Sequence, residues 1–151
     1  MDIDAVFQKS VACAVNAIGI VLGKNPVLSH DGAIRVERLV NREDLVINMG
    51  ICNAEWQGIL TFGASREDIA RLVDDPSSEL ALDALGEVLN TTAGMVAEAD
   101  ETRSLFGELC QTSPVVLEGG TFYPKAQGVQ ADVLLDNSTI RFGFSMRAVG
   151  Q

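Results

Sequence analysis

Residues 77–100 read SSELALDALGEVLNTTAGMVAEAD, and their polar and apolar side chains separate when they are placed on a helix. At about 100° per residue, the apolar side chains and one threonine occupy a stripe of about 120°, the usual width of a core-facing stripe. The members of this stripe are Leu85, Val88, Leu89, Thr92, Met95, Val96 and Ala99. On almost the opposite side, Asp83, Glu87 and Asn90 fall within about 60° of each other. The segment is therefore predicted to form one long amphipathic helix with a compact polar face.

Small residues surround this polar face. Gly86, Gly94 and Ala97 present almost no side chain, although a glycine inside a helix costs about 1 kcal/mol relative to alanine. Close approach of another molecule to the carboxylates and the carboxamide would explain them. A solvated face whose glycines pack against a neighbouring element would explain them as well, and the pattern alone fits both interpretations.

The spacing of the polar residues resembles a known signature. Asp83-x3-Glu87-x2-Asn90 is followed after 23 residues by Pro114, which is similar to the motif of the CheC/CheX family of chemotaxis phosphatases. The similarity continues through GEVLNTTAG, residues 86–94, and through SPVVLEGG around the proline. One copy of the motif is present, as in CheX-like members, whereas CheC-like members carry two. With the helix and strands upstream, the resemblance covers nearly the whole chain.

This resemblance implies a function, a partner and residue roles. Such proteins dephosphorylate the response regulator CheY, or a CheY-like receiver domain, by inserting this helix face into its active site. Catalysis would depend on Asn90, which would orient the attacking water, and on Glu87, which would pair with the receiver's active-site lysine. The remaining contacts with the receiver would come from Asp83, Gly86, Gly94 and Ala97. Mg²⁺ would arrive with the phosphorylated receiver, so this chain would need no cofactor of its own, and it would act as a homodimer.

The residues leave two other functions open. One is a non-catalytic receiver-binding or flagellar-switch-type interaction module, although a scaffold has no need of both Glu87 and Asn90 at this spacing. The other is a carboxylate-bound metal site on the helix, which is disfavoured because no histidine or further acid stands at ligand spacing. Elsewhere, the single histidine, His30, has no nucleophile at a recognisable spacing, and no glycine-rich phosphate loop with a following lysine is present.

The composition indicates one soluble acidic domain spanning residues 1–151. The net charge of −10 and the sequence pI near 4.4 argue against nucleic-acid partners and against an anionic membrane surface. The longest apolar run, residues 11–23, is interrupted by Asn16 and is too short to span a bilayer. No basic segment typical of a signal peptide precedes it. We therefore expect a cytoplasmic protein without membrane insertion.

The three cysteines are an odd number and have no C-x2-C spacing. Neither a disulfide framework nor a zinc site is expected from them, and a reducing compartment fits their use. Cys13 and Cys52 lie in apolar surroundings and are expected to pack as small hydrophobic residues. Cys110 is expected near a loop.

Apolar periodicity and turn residues predict the remaining elements. A first helix should cover residues 3–22 and end at Gly23, and Ser65 should cap a short helix that extends to about Val73. Ser77 or Ser78 should cap the long helix, and residues 101–112 should form a more mobile connection. Strands are predicted at residues 33–40, 44–52, 56–64, 113–118, 127–135 and 139–149. The predicted class is α+β, with an antiparallel six-stranded sheet packed by long helices.

Overall fold

The computed structural model describes residues 2–72 and 78–150 of the chain. The helices in this part are α1 Ile3–Leu22, α2 Arg66–Arg71, α3 Ser78–Glu98 and α4 Asp100–Phe106. The strands are β1 Val27–Leu28, β2 Ile34–Val36, β3 Val40–Asn41, β4 Leu45–Cys52, β5 Trp56–Ala64, β6 Cys110–Gln111, β7 Val115–Glu118, β8 Thr121–Phe122, β9 Gln127–Leu135 and β10 Ser138–Ala148. This order of helices and strands is α+β, as the sequence predicts.

Most of the strands form one antiparallel sheet, in the order β1-β9-β10-β5-β4-β6. The short strand β2 also pairs with β9, and β7 also pairs with β4. At one edge of the sheet, β1 and β2 therefore both lie along β9, and at the other edge, β6 and β7 both lie along β4. Counted across, the sheet in the described residues is six strands wide. The prediction of an antiparallel six-stranded sheet is confirmed in its class and width, although shorter strands divide the edge positions.

The structure corrects two predicted segments. The strand expected over residues 33–40 is divided, because β2 pairs with β9 whereas β3 leaves the sheet and pairs with β8. Residues 101–112, expected as a mobile connection, contain most of α4 and all of β6. The expected end of α2 near Val73 and the expected cap at Ser77 lie outside the described residues.

Both long helices cover the same face of the sheet. α1 has the predicted bounds: the Asp2 carboxylate accepts a hydrogen bond from the Asp4 backbone N–H at 2.9 Å, and Gly23 ends the helix with a φ of 64°. α1 contacts β9 and β10, α3 contacts β4 and β5, and the two helices contact each other. Between these layers lies the apolar core, in which the rings of Phe7 and Phe144 meet edge to face with centroids 5.7 Å apart.

A two-stranded ribbon of β3 and β8 covers part of the opposite face. The Gln130 side-chain amide donates to the Val40 carbonyl oxygen at 3.1 Å, which ties the ribbon to β9. Leu39, just before β3, is fully buried, and a Cβ added at Gly143 on β10 would lie 3.2 Å from its side chain. The ribbon approaches the sheet closely there because Gly143 has no side chain.

Arg141 on β10 belongs to this second face and corrects an expectation from the sequence. The sequence alone favours a solvated charge at this position, as at Lys125 and Arg147, which also lie on or near predicted strands. Instead its Nε donates to Asp132 Oδ1 at 2.9 Å and lies 3.5 Å from Glu43 Oε1. The hydrogen bond to Asp132 and the two carboxylates raise the pKa of Arg141, against the opposing effect of burial. Arg141 therefore joins β9, β10 and the segment before β4.

By length and composition alone, α1 is long and apolar enough to cross a membrane. The apolar run of residues 11–23, considered by itself, is too short to do so. The core helix of a soluble protein passes the same test. Here α1 packs its buried face against the sheet and α3. Its apolar composition is that of a helix with a broad core-facing surface.

Candidate functional site on the long helix

α3 separates its two faces as the sequence predicts. The apolar stripe is turned to the core: Leu85, Val88, Leu89, Thr92 and Val96 are buried, and Met95 and Ala99 are partly buried. The one hydroxyl in this stripe, on Thr92, donates to the Val88 carbonyl oxygen at 2.7 Å. Asp83, Glu87 and Asn90 are exposed on the other face. The helix is thus held through one face and offers the other to solvent.

The polar face forms one side of an open groove of about 650 Å³. Asp83, Gly86, Glu87 and Asn90 line it together, so the structure gathers four of the six predicted site residues in one place. Its apolar lining comes from Leu82 on the same helix, Ile47 on β4 and Val116 on β7, and its other wall is formed by residues 112–114. A convex polar segment of a partner could enter this groove and reach the three polar side chains at once.

Hydrogen bonds to β4 hold the far wall of the groove in place. The Gly50 backbone N–H donates to the Thr112 hydroxyl at 2.8 Å, and the Thr112 backbone N–H donates to the Gly50 carbonyl oxygen at 2.9 Å. A Cβ added at Gly50 would lie 3.1 Å from the Thr112 side chain, so the close contact depends on the glycine. Thr112 therefore positions Ser113 and Pro114 opposite α3.

Pro114 combines two features. It stands directly before β7, where the sequence predicts that it shapes the start of a strand, and it also lines the groove beside the motif. Thr112, Ser113 and the apolar residues of the groove were not predicted as site residues. For Thr112 and Ser113 the only signal in the sequence is their nearness to Pro114, because the contact with α3 depends on how β6 and β7 pair with β4.

The two other predicted site residues, Gly94 and Ala97, line a neighbouring groove of about 420 Å³ further along α3. The side chain of Gln111 crosses it, and its amide nitrogen would lie 3.4 Å from a Cβ added at Gly94. At Gly86, by contrast, no atom lies within 4 Å of an added Cβ. The two helical glycines therefore differ: Gly86 faces open space, and Gly94 lies under a flexible side chain.

The first groove is acidic. Of the described residues that line it, the charged ones are Asp83 and Glu87. Nowhere in residues 2–72 and 78–150 do three or more His, Cys, Asp or Glu side chains form a group that could hold a metal ion. The groove is thus suited to a partner that brings positive charge.

No protein-family model matches the chain, and no curated protein matches it. Solved structures do. CheX from Desulfovibrio desulfuricans has a TM-score of 0.76 at 16% identity, with 95% of this chain and 99% of that chain covered. A CheC-like superfamily protein from Shewanella sp. PV-4 has a TM-score of 0.76 at 13% identity, with 97% and 99% covered. The CheX–CheY–BeF₃–Mg²⁺ complex from Borrelia burgdorferi has a TM-score of 0.67 at 14% identity, with 93% and 96% covered.

These likenesses define the class: the chain has the fold of the CheC-like and CheX-like chemotaxis proteins. The helix motif is present once in the sequence, on α3. The middle domain of FliM from H. pylori shares the fold more distantly, with a TM-score of 0.62 at 11% identity over 93% of this chain and 87% of that chain. The fold alone therefore accommodates both chemotaxis proteins and flagellar proteins.

Proposed function

We propose that this chain is a phosphatase that hydrolyses the aspartyl phosphate of a CheY-like receiver domain. The observation that carries the proposal is the exposure of Glu87 and Asn90 on one side of the groove of about 650 Å³, with Gly86 leaving open space beside them. The complex of CheX with CheY from Borrelia burgdorferi, which shares the fold, supports a CheY-like partner.

Asn90 has the role of orienting water. An amide has two donors and an acceptor, so it can hold one water molecule in a fixed direction while bonding to a second group. The water oxygen attacks phosphorus in line with the acyl-phosphate P–O bond, that bond breaks, and the aspartate carboxylate leaves with the bonding electrons. The products are a carboxylate and inorganic phosphate. Because this leaving group is good, positioning supplies most of what the reaction needs.

Glu87 has the role of docking. Its carboxylate lies one helical turn from Asn90 in an acidic groove, where it can accept a charge-assisted hydrogen bond from the active-site lysine of a receiver. That contact fixes the distance between Asn90 and the phosphoryl group. Asp83, a further turn toward the start of α3, adds negative charge to the same side of the groove.

The magnesium ion in this proposal belongs to the substrate. A receiver domain brings Mg²⁺ with its phosphoaspartate, and that ion would neutralise the phosphoryl oxygens. The residues of this chain would supply the water-orienting amide and the docking carboxylate. Since receivers of this kind act in the cytoplasm, we propose the same location for this protein.

The second candidate is a non-catalytic binding module, which the shared fold with the FliM middle domain favours. The two candidates differ in one measurable quantity. Catalytic amounts of this protein, added to a purified receiver phosphorylated by a small-molecule phosphodonor, should shorten the lifetime of the phosphoaspartate over many turnovers. Binding to the receiver with an unchanged lifetime would reject the phosphatase and favour the binding module.

A further inference from the structure

Two of the three cysteines face each other across a strand pair. β6 is antiparallel to β4, with Ile51 opposite Gln111 and Cys52 opposite Cys110. Residues directly opposite in an antiparallel pair point to the same face of the sheet. Both thiols are free in the structure. This pairing corrects the expectation that Cys52 packs simply as a small hydrophobic residue, since it is only partly buried.

The register places the pair within reach of a disulfide. The N–H of Thr112 donates to the Gly50 carbonyl oxygen, which identifies Gly50 and Thr112 as a hydrogen-bonded pair. Such pairs alternate along the ladder, so Cys52 and Cys110 occupy the next hydrogen-bonded position. Cα atoms at that position are about 5.5 Å apart. Disulfides span Cα separations of about 4.4–6.8 Å, most often about 5.5–6 Å.

Contacts on both sides of Cys110 keep the two thiols opposite each other. Before it, the side-chain amide of Asn53 donates to the carbonyl oxygens of Phe106 at 2.8 Å and Glu108 at 3.0 Å. After it, Thr112 makes two hydrogen bonds with Gly50. These bonds link β4, and the turn after it, to the backbone around Cys110. To form the S–S bond, the two Cβ atoms, about 4.5–5.5 Å apart in an opposite pair, must approach to the separation of about 3.5–4.5 Å found in disulfides.

Both thiols of the pair are accessible, and the third is not. Cys110 is exposed, and Cys52 lines an open pocket of about 330 Å³ between β4, β5 and β10. Cys13 lies in the core at 7% exposure. Burial raises the pKa of the Cys13 thiol, an effect that Lys9 opposes, so little of it is the reactive thiolate.

We propose that Cys52 and Cys110 form a reversible cross-strand redox pair. Hydrogen peroxide oxidises one thiolate to a sulfenic acid as the O–O bond breaks, and the displaced hydroxide leaves as water after protonation. The second thiol then attacks the sulfenic sulfur, an S–S bond forms, and a second water leaves. Two thiols are oxidised by two electrons in total, and the peroxide is reduced. A dithiol reductant reverses the change.

This pair has a protective consequence and a structural one. With a partner thiol opposite, the sulfenic acid ends as a disulfide and does not proceed to the irreversible sulfinic acid. The bond also joins β6 covalently to β4, next to Gln111 and Thr112, which line the two grooves on α3. In reducing compartments, the disulfides that do form are usually transient ones of this type. The proposal holds whether or not the protein is a phosphatase.

The test is oxidation of the reduced, folded, full-length protein by a small excess of hydrogen peroxide, followed by alkylation under denaturing conditions and mass analysis. The expected product carries a single alkyl group, on Cys13, is lighter by two hydrogen atoms than the reduced protein with one alkyl group, and contains a peptide that joins Cys52 to Cys110. Treatment with dithiothreitol should restore those two hydrogen atoms and make both thiols available to alkylation. Cys13→Ser should behave like the parent.

Two single variants complete the test. Cys110→Ser removes an exposed thiol, and Cys52→Ser leaves Cys110 without its partner, so neither should give the intramolecular product. In Cys52→Ser, Cys110 should instead gain two oxygen atoms as the sulfinic acid. The proposal is overturned if the parent protein shows no linked peptide and its Cys52 and Cys110 are recovered alkylated or over-oxidised.

Discussion

At the scale of single residues, Glu87 and Asn90 are both exposed and line the same groove, yet the proposal gives them different roles. A carboxylate that meets a lysine contributes to docking in the ground state and to catalysis. An amide that orients water acts on the attacking atom and adds little to binding. The two roles separate when affinity and turnover are measured for the same variants.

Glu87→Ala should weaken binding to the phosphorylated receiver and lower turnover together. Leaving the receiver's lysine partly unpaired should cost about 1–3 kcal/mol in affinity. Titration calorimetry with a stable phosphoryl analogue on the receiver would measure this loss. The matched control is Glu55→Ala, which removes an exposed carboxylate at the turn between β4 and β5, away from the groove. An equal loss in both variants would mean that overall charge, and no contact at Glu87, controls affinity.

At the scale of elements, α3 has a buried apolar stripe that fixes its position in the fold. On its outer face, residues with little or no side chain lie beside the polar ones. Gly94 and Gly86 lie on this outer face, and each lowers helix stability by about 1 kcal/mol relative to alanine. Neither glycine has a positive φ. The loss of helix stability at the two glycines is therefore explained by the access that they leave to the surface of the helix.

Gly94→Leu should weaken docking of the receiver without unfolding the protein. An added Cβ meets only the Gln111 side-chain nitrogen, at 3.4 Å, which can move aside. Thermal unfolding should show an unchanged or slightly raised midpoint, while receiver binding falls by about tenfold or more, equivalent to about 1.4 kcal/mol. Gly86→Ala should also raise the midpoint, because a Cβ added there meets no atom within 4 Å. Full binding by a folded Gly94→Leu variant would place the partner elsewhere.

The elements also show what can be predicted from sequence. α1, β5 and β9 have the predicted bounds, because their apolar periods are long and end at clear turn residues. β1, β3, β6 and β8 are two-residue strands that exist only through pairing with distant segments, and no local pattern marks them. The same cause hid Thr112 and Ser113 from the predicted site, and hid the bonding of Arg141 to Asp132.

At the scale of the whole molecule, the sheet separates an apolar layer under the helices from a more polar layer under the ribbon. Tyr123 lies in the second layer, largely buried, and its hydroxyl oxygen accepts a hydrogen bond from the Asn48 side-chain amide at 3.2 Å. Burial raises the pKa of Tyr123 above its ordinary value of 10.0, and the hydrogen bond from Asn48 partly opposes this. The folded state thus holds the phenolic proton more tightly than the unfolded state.

This difference predicts the alkaline stability of the protein. A raised folded-state pKa contributes stability below the unfolded value of about 10, and that contribution is lost as the pH rises through the folded value. Denaturant unfolding should therefore show a falling free energy of unfolding above about pH 10. Tyr123→Phe should start lower, because Asn48 loses its partner, but should fall less steeply over the same range. Equal slopes for the two proteins would show that Tyr123 does not contribute.

The oligomeric state stays a prediction, and the structure changes the reason for it. The sequence favours a dimer surface on the apolar residues of the last two strands, but these residues are buried in the chain's own core: Val129, Val133, Leu135, Ile140, Phe142 and Phe144. Exposed apolar residues lie instead at the sheet edges, at Val27, Ile34 and Leu134 on one side and Val115 and Val116 on the other. Light scattering at micromolar concentration should give twice the chain mass of 16.1 kDa. A mass of one chain would contradict the dimer.

The most direct test of the central claim is the lifetime of a phosphorylated receiver in the presence of the parent protein or Asn90→Ala. Both proteins are added at equal concentrations that saturate the receiver, since replacing the exposed Asn90 should change neither the fold nor docking appreciably. The account predicts that the variant binds but loses about 100-fold or more of the rate acceleration, roughly 3 kcal/mol. A folded Asn90→Ala variant that shortens the lifetime as much as the parent does would contradict it.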